Sequence, residues 1–355
     1  MRSRLLNNLL LSGVIFLALI SCSKEPLPEG HYTGDRFGQL NSPWVKDEDS
    51  FGHETLWDCL LFGEYPTSEV VGGAFGAVDA YALADGDVIE DASLYSQLEK
   101  ASWDENDDTV IGNKRFHRLG RESAISASEN REQHYRWTDL SAWHYFAYAP
   151  IKWRVLKITG SKALLLTDRM PDTHPFHKAD EDADWSRSDL RRWLNGDFLM
   201  RAFNDSEREA ILETGLENAP NGYFGTPSGP DTRDYVFILS GKEVFDSRLA
   251  ADYGFYPGSG IDDPARRFRS TLYAKCRGAW WSPVKGYRGN SFWLMRTNGY
   301  TPGTITYICD FGYIYNQGTS VSCDDAALLP AITVDLSRAQ YSVASPVSSN
   351  DIIQR

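Results

Sequence analysis

The clearest hydrophobic pattern in the chain lies at residues 150–171, PIKWRVLKITGSKALLLTDRMP. Trp153, Val155 and Ile158 precede Thr159-Gly160-Ser161-Lys162, and the apolar run ALLLT follows, so two strands joined by a tight turn are predicted, the second of them buried. LWDCLLFGEYP, at 56–66, reads as a shorter strand. In WSRSDLRRWLNGDFLMRAF the period changes: Leu190, Trp193, Leu194 and Phe198 recur at helical spacing, with Ser188 as N-cap and Asn195-Gly196 as a break or cap. NDSEREAIL opens a second helix with Asp205 or Ser206 at its start and Glu209 as the capping-box partner of Ser206. RDYVFILSGKEVF carries another strand at Val236–Leu239. Beyond it come short segments dense in Gly, Tyr, Trp and Asn: TLYAKCRGAWW, SFWLMRTNG, TITYICDFGYIYNQG and ALLPAITVDL. Short strands broken by turn residues, without a repeating βα unit, predict an α+β domain of short twisted antiparallel strands and hairpins, two short helices and long irregular loops.

The two ends of the chain lack these periods. Residues 1–22 carry Arg2 and Arg4 near their start, continue in an apolar run from Leu9 to Ile20 and end at Cys22, the layout of an export signal. The run is short for a membrane span, which takes roughly 20 residues. Leu19-Ile20-Ser21-Cys22 resembles a bacterial lipobox, which implies that Cys22 is lipidated and becomes the first mature residue; the alternative is an ordinary cleaved signal. Residues 22–55 are rich in Pro, Gly and charge and read as a flexible tether, and 339–355 as a polar tail. The domain is then 56–338, with about 80–148 a candidate insertion. The expected address is the cell envelope, with the outer membrane favoured.

Charge narrows the partners. The chain of 355 residues carries a net charge of −13, and loss of residues 1–21 takes away two basic charges and leaves −15 on 334 residues. An acidic exported protein does not suit nucleic acid or electrostatic attachment to anionic lipid, so membrane contact is expected through the lipid anchor alone. Four cysteines follow Cys22: Cys59, Cys276, Cys309 and Cys323. An even count in an exported chain permits two disulfides. Asn316-Gln317-Gly318 reads as a hairpin turn between Cys309 and Cys323, so a bridge between these two is expected, with four buried free thiols as the alternative.

LFGEYP, PIKWRVL, WSRSDLRRWLNGDFLMRAFNDSEREAI, RDYVFILSGKEVF and STLYAK come in this order between 61 and 275. Together they resemble the bacterial family of unknown function DUF6273, whose members share the Trp-x-x-Ser-x-Leu-Arg-x-Trp-Leu-Asn signature. The resemblance runs from about Leu61 to Leu336 and names no reaction. The order of hairpin, two helices and late loop-rich strands is also similar to the C-type-lectin-like fold, shared by sugar- and protein-binding modules and by sulfatase-modifying enzymes. Two departures stand out: FWLMRTNG has one extra residue before Arg296, and Leu329 occupies a position where the family usually has Arg.

Candidate chemistry is sparse. DENDD at 104–108 and DEDAD at 180–184 supply oxygen donors of the kind calcium takes, without the glycine and distal Glu of an EF-hand, and read better as solvated acidic loops. His174 and His177 have a metal-pair spacing, but Pro175 interrupts the helix and no third ligand is evident, so no metal is expected. No nucleophile signature is present, so no catalytic residue is assigned. Trp185, Arg191, Trp193 and Asn195 recur at helical spacing and read as core. Trp281, Tyr287, Arg288, Asn290, Arg296 and Asn298 lie in Gly- and Pro-broken stretches and are the candidate ligand-binding platform, for a glycan or a surface protein. The expected function is an envelope binding module without a cofactor. The alternatives are an enzyme of sulfatase-modifying type, using Cys309 and Cys323, and a non-catalytic structural protein.

Overall fold

A computed structural model describes residues 30–47, 53–73, 87–120, 143–246, 248–258, 263–282, 287 and 289–354. The signal, Cys22 and part of the tether lie outside them. Among the described residues the architecture is mixed α+β, with mostly antiparallel strands, short helices and an open main sheet. The elements used below are β1 (Gly30–Tyr32), β2 (Trp44–Asp47), β3 (His53–Val71), α1 (Ala92–Glu99), β4 (Asp108–Ile111), β5 (Lys114–Leu119), β6 (His144–Thr159) and β7 (Lys162–Thr167). They continue with α2 (Asp189–Trp193), α3 (Asp205–Ala210), β8 (Ile211–Leu212), α4 (Gly241–Phe245), α5 (Leu272–Cys276), β9 (Trp293–Asn298), β10 (Thr304–Ile308), β11 (Ile314–Ser320), β12 (Ala331–Asp335) and β13 (Ser342–Ser348).

The main sheet runs β1-β2-β3-β6-β7-β12-β8, and β5 extends it beside β6. The β6–β7 hairpin forms as its alternation predicts, with Lys162 opposite Thr159. It is buried on both faces, because Trp153, Val155, Leu165 and Leu166 are all fully inaccessible. The Trp153 indole donates to Phe62 O at 2.7 Å, which satisfies its N–H at the centre of the core. Leu329, in the position expected to hold Arg, is fully buried within the same core.

Several segments differ from expectation. Residues 30–47, read as tether, form short strands whose Leu40, Ser42 and Val45 are buried, and β2 pairs with the start of β3. The supposed tail supplies β13, antiparallel to residues 56–61 of β3. Backbone hydrogen bonding decides both cases: an extended polar segment gains a strand's ladder wherever a neighbouring edge is available, and hydropathy does not report edges. TLYAKCRGAWW forms α5, capped by Thr271, whose hydroxyl accepts from Ala274 N at 3.1 Å. The second predicted helix starts one residue early: Asn204, not Asp205 or Ser206, is the cap, and Glu207 completes the capping box.

The first predicted helix also differs in an instructive way. Ser188 caps α2 as expected, accepting from Arg191 N at 3.1 Å. Asn195-Gly196 does not end the helix; residues Leu194–Phe198 form a π turn that leads into Leu199–Ala202. This last piece packs on β3 at Gly63, where φ is +71° and a Cβ would lie 2.6 Å from the Phe203 ring and 2.7 Å from Ala202 O. Only glycine fits such a conformation and such an approach. The register of β3 against β6 shifts at the same place, between Leu61 and Glu64.

Candidate functional site

β9, β10 and β11 form a separate three-stranded sheet, and most of the expected platform lies in or beside it. Its side chains hold the fold together. Arg296 is 2% exposed and donates to Glu243 Oε2 at 2.5 Å, Ile238 O at 2.8 Å and Asn218 Oδ1 at 3.1 Å. Asn298 is fully buried and donates to Ala183 O, Pro302 O and Thr304 O. Asn290 donates to Asp310 O at 2.9 Å, and Trp281 is buried under the Lys275 ammonium. Tyr287 is half-buried against Phe311 and Arg267, and Arg288 lies outside the described residues. Tertiary contacts cover Trp281, Asn290, Arg296 and Asn298, so at these four positions loop-like sequence does not produce an exposed side chain.

The expected bridge is likewise absent: Cys59, Cys276, Cys309 and Cys323 are all free thiols. The β10–β11 turn falls at 309–313, closed by Gly312 N donating to Cys309 O, whereas Asn316-Gln317-Gly318 is a bulge inside β11. Gly318 has φ +86°, and its Cα packs so closely over Ile305 O that a Cβ would lie 2.7 Å away. Cys309 therefore sits at the turn, while Cys323 follows the opposite end of the hairpin and its thiol donates to Asp325 Oδ1 at 2.8 Å. Burial, reinforced by the Asp325 charge, pushes the Cys323 thiol up to about 12.

A different cavity gathers the polar chemistry. It has a volume of about 540 Å³ and lies where the β4–β5 hairpin, β3, the end of the helix after the π turn, and α5 meet. Asp108 and His117 are opposite each other in the β4–β5 register, and Arg115 is two residues from His117, so all three project from one face. Asp108 Oδ1 accepts from His117 Nδ1 at 2.9 Å and Oδ2 from Arg115 Nη2 at 2.6 Å, and the Tyr148 hydroxyl donates to both oxygens at 2.9 and 3.0 Å. Asp107, at φ +58°, turns the chain into β4, and its carboxylate accepts from Arg118 Nε at 2.8 Å. In the DENDD segment the carboxylates of Asp104, Asp107 and Asp108 are thus taken up by protein donors. The same holds in part for DEDAD, with Asp184 capping the turn at 185–187, and among the described residues no cluster of metal-donor side chains occurs.

The opposite wall is built from Asp172, Tyr65, Tyr273 and Arg277. The Tyr65 hydroxyl donates to Asp172 Oδ2 at 2.8 Å, and Arg277 Nε lies 3.4 Å from Asp172 Oδ1. Met200 and Arg201 close the cavity from the helix side, with Trp193 and Asp197 at the rim. The π turn between Trp193 and Arg201 brings residues 193, 197 and 201 to the same side, a local departure often found beside functional sites. The His174 ring stacks on Trp193 at 5.2 Å, and its Nδ1 lies 2.7 Å from Pro175 O. A neighbouring cleft of about 670 Å³ shares Arg115, Met200 and Arg201 with the cavity.

The charge states follow from these contacts. Burial raises the Asp108 carboxyl, but hydrogen bonds from His117 and Arg115 outweigh it and hold the group below the usual carboxylate range. Burial pushes Tyr65, Tyr148 and Tyr273 well up, reinforced by Asp172 for Tyr65 and Tyr273 and by Asp108 for Tyr148, so all three stay phenolic. Burial lowers Arg201, but its attraction to Tyr65, Tyr273, Tyr148 and Asp108 prevails and keeps it protonated. The cavity therefore presents fixed cations, fixed anions and phenolic hydroxyls, which can orient a ligand rich in hydroxyl groups or polarise a bound one.

Residues 160–336 match the family described as Domain of unknown function (DUF6273). The chain carries a DUF6273 domain. No curated protein and no solved structure matches it. The matched segment supplies Asp172, Trp193, Arg201, Tyr273 and Arg277, whereas Tyr65, Asp108, Arg115, His117 and Tyr148 precede it. The cavity is thus shared between the DUF6273 segment and the chain before it. Sequence reasoning assigns none of these residues to a site; the hint available is the charge-rich stretch from Asp104 to Arg118, of which only DENDD at 104–108 is read, as a solvated acidic loop within the candidate insertion.

Proposed function

We propose that this protein is a lipid-anchored envelope binding module, of a C-type-lectin-like α+β kind, that holds a polar saccharide in the cavity between the β4–β5 hairpin and α5. The observation that carries this reading is the mixed set of buried donors and acceptors around Asp108 and Asp172. A sugar presents several hydroxyls, each both donor and acceptor, and such a site satisfies them only if partners of both kinds are already fixed in place. Trp193 at the rim adds the aromatic face on which a pyranose stacks. Residues 1–22 support export and anchoring, and the acidic net charge fits attachment through lipid and not through basic side chains.

A second reading has its own support. Asp108 engages His117 through Nδ1, which fixes the ring and reserves Nε2 for a substrate proton, as a general base requires. The sulfatase-modifying alternative has less, because the thiols lie elsewhere and Cys323 stays protonated at neutral pH. A glycan array probed with the purified full-length protein tests the main reading. Retention of saccharides that is lost in Asp172→Asn supports it; an array without retained members refutes it. Release of shorter sugars from the retained ones, abolished by His117→Gln, would turn the reading to catalysis.

A further inference from the structure

Charge pairing around the cavity leaves one cation over. Arg115 faces Asp108 at 2.6 Å and Glu64 at 3.6 Å, Arg118 faces Asp107 at 2.8 Å, and Arg277 faces Asp172 at 3.4 Å. Among the described residues, no carboxylate lies within ion-pair distance of the half-buried Arg201 guanidinium, and it donates no hydrogen bond. The groups that hold its charge most strongly are the phenols of Tyr65, Tyr273 and Tyr148 and then Asp108. Tyr273 is 1% exposed and lines the same cavity, and among the described residues its hydroxyl makes no hydrogen bond. The other two phenols are committed to Asp172 and Asp108. A partly buried cation and a buried phenol, both without partners and facing one space, are what remains when the group that completes them comes from outside.

We infer that Arg201 and Tyr273 recognise a carboxylate on the bound sugar, so that the ligand class is a saccharide containing uronic acid. This rests on the saccharide reading above and deepens it. A carboxylate takes the planar fork of an Arg in two parallel hydrogen bonds, and the Tyr273 hydroxyl donates to one of its oxygens. Charge selects the carboxylate over a phosphate ester. The single cation left over balances one negative charge, and Asp108 and Asp172 nearby repel a second. Asp197 and Glu105 stand exposed at the rim, where water screens them.

The test uses isothermal titration calorimetry on the full-length protein with two ligand sets: uronic-acid oligosaccharides, and the same oligosaccharides carboxyl-reduced to neutral sugars. A charge-assisted pair predicts that the acidic set binds roughly tenfold to a hundredfold more tightly. Arg201→Gln should erase that preference, and Tyr273→Phe, which removes only a hydroxyl and leaves the packing, should reduce it severalfold; circular dichroism and thermal unfolding confirm that both variants are folded. Equal affinity for the two sets, or a preference that survives in a folded Arg201→Gln, overturns the carboxylate assignment and leaves the saccharide reading standing. Binding of neither set, together with an empty glycan array, overturns both.

Discussion

Replacing Asp108 by Asn keeps the shape of the side chain and removes its charge, which isolates the electrostatic part of the β4–β5 network. The carboxylate receives His117 Nδ1 on one oxygen, Arg115 Nη2 on the other and the Tyr148 hydroxyl on both. Asn offers a single uncharged oxygen, so its NH₂ meets either the guanidinium or an imidazole Nδ1 that must change tautomer to accept from it. A hydrogen bond to a charged group contributes about 1.5–3 kcal/mol, and removing one member of a buried ion pair costs about 3–5 kcal/mol. Arg115 is 32% exposed and keeps Glu64 and the Tyr148 ring, which recovers part of that loss. The expected destabilisation is therefore about 2–3 kcal/mol near neutral pH, after discounting for solvent screening. The folded-state pKa of Asp108 lies below the ordinary one, so its stabilising effect is complete above the unfolded value of about 3.9. It is lost as pH falls through the folded value, where the native protein is protonated too. Urea unfolding followed by Trp fluorescence, at neutral pH and then in steps down to about pH 3, should show the midpoints of wild type and Asp108→Asn converging. A loss under about 0.5 kcal/mol at neutral pH, or a gap that stays constant into acid, would refute the network as described.

Gly63→Ala should cost about 2–4 kcal/mol, combining a left-handed backbone with overpacking against Phe203 and Ala202. Thermal unfolding checks it, and an unchanged melting temperature would show that the helix end does not rest on β3. Thiol titration of unfolded, non-reduced protein should find free thiols at Cys59, Cys276, Cys309 and Cys323. Alkylation of the native protein near neutral pH should be slow at Cys59 and Cys323, whose thiols are both pushed up to about 12 by burial. A linked 309–323 peptide in a non-reducing digest would contradict the free-thiol arrangement.

Elements whose cause is local are legible in the residues alone. The β6–β7 hairpin, the Ser188 cap and the apolar faces around Trp185, Leu190 and Leu194 follow from period and side-chain chemistry, and the α+β class follows from their order. The DUF6273 resemblance was legible in the same region, because the signature that carries it falls on core and cap positions such as Trp185, Ser188, Leu190 and Leu194. Which polar residues meet depends on how distant segments pack. Arg296 and Asn298 look like loop residues until Ile238, Glu243 and Ala183 are seen to receive their hydrogen bonds. Asp108 and Asp172, 64 positions apart in the chain, come to line one cavity because β5 adds beside β6 and α5 packs under β3. Periodicity reports which face of a segment is buried, and carries no information about which distant segment will cover it. The cavity, its pairing of charges and the one guanidinium in its lining without an ion pair among the described residues are consequences of that covering.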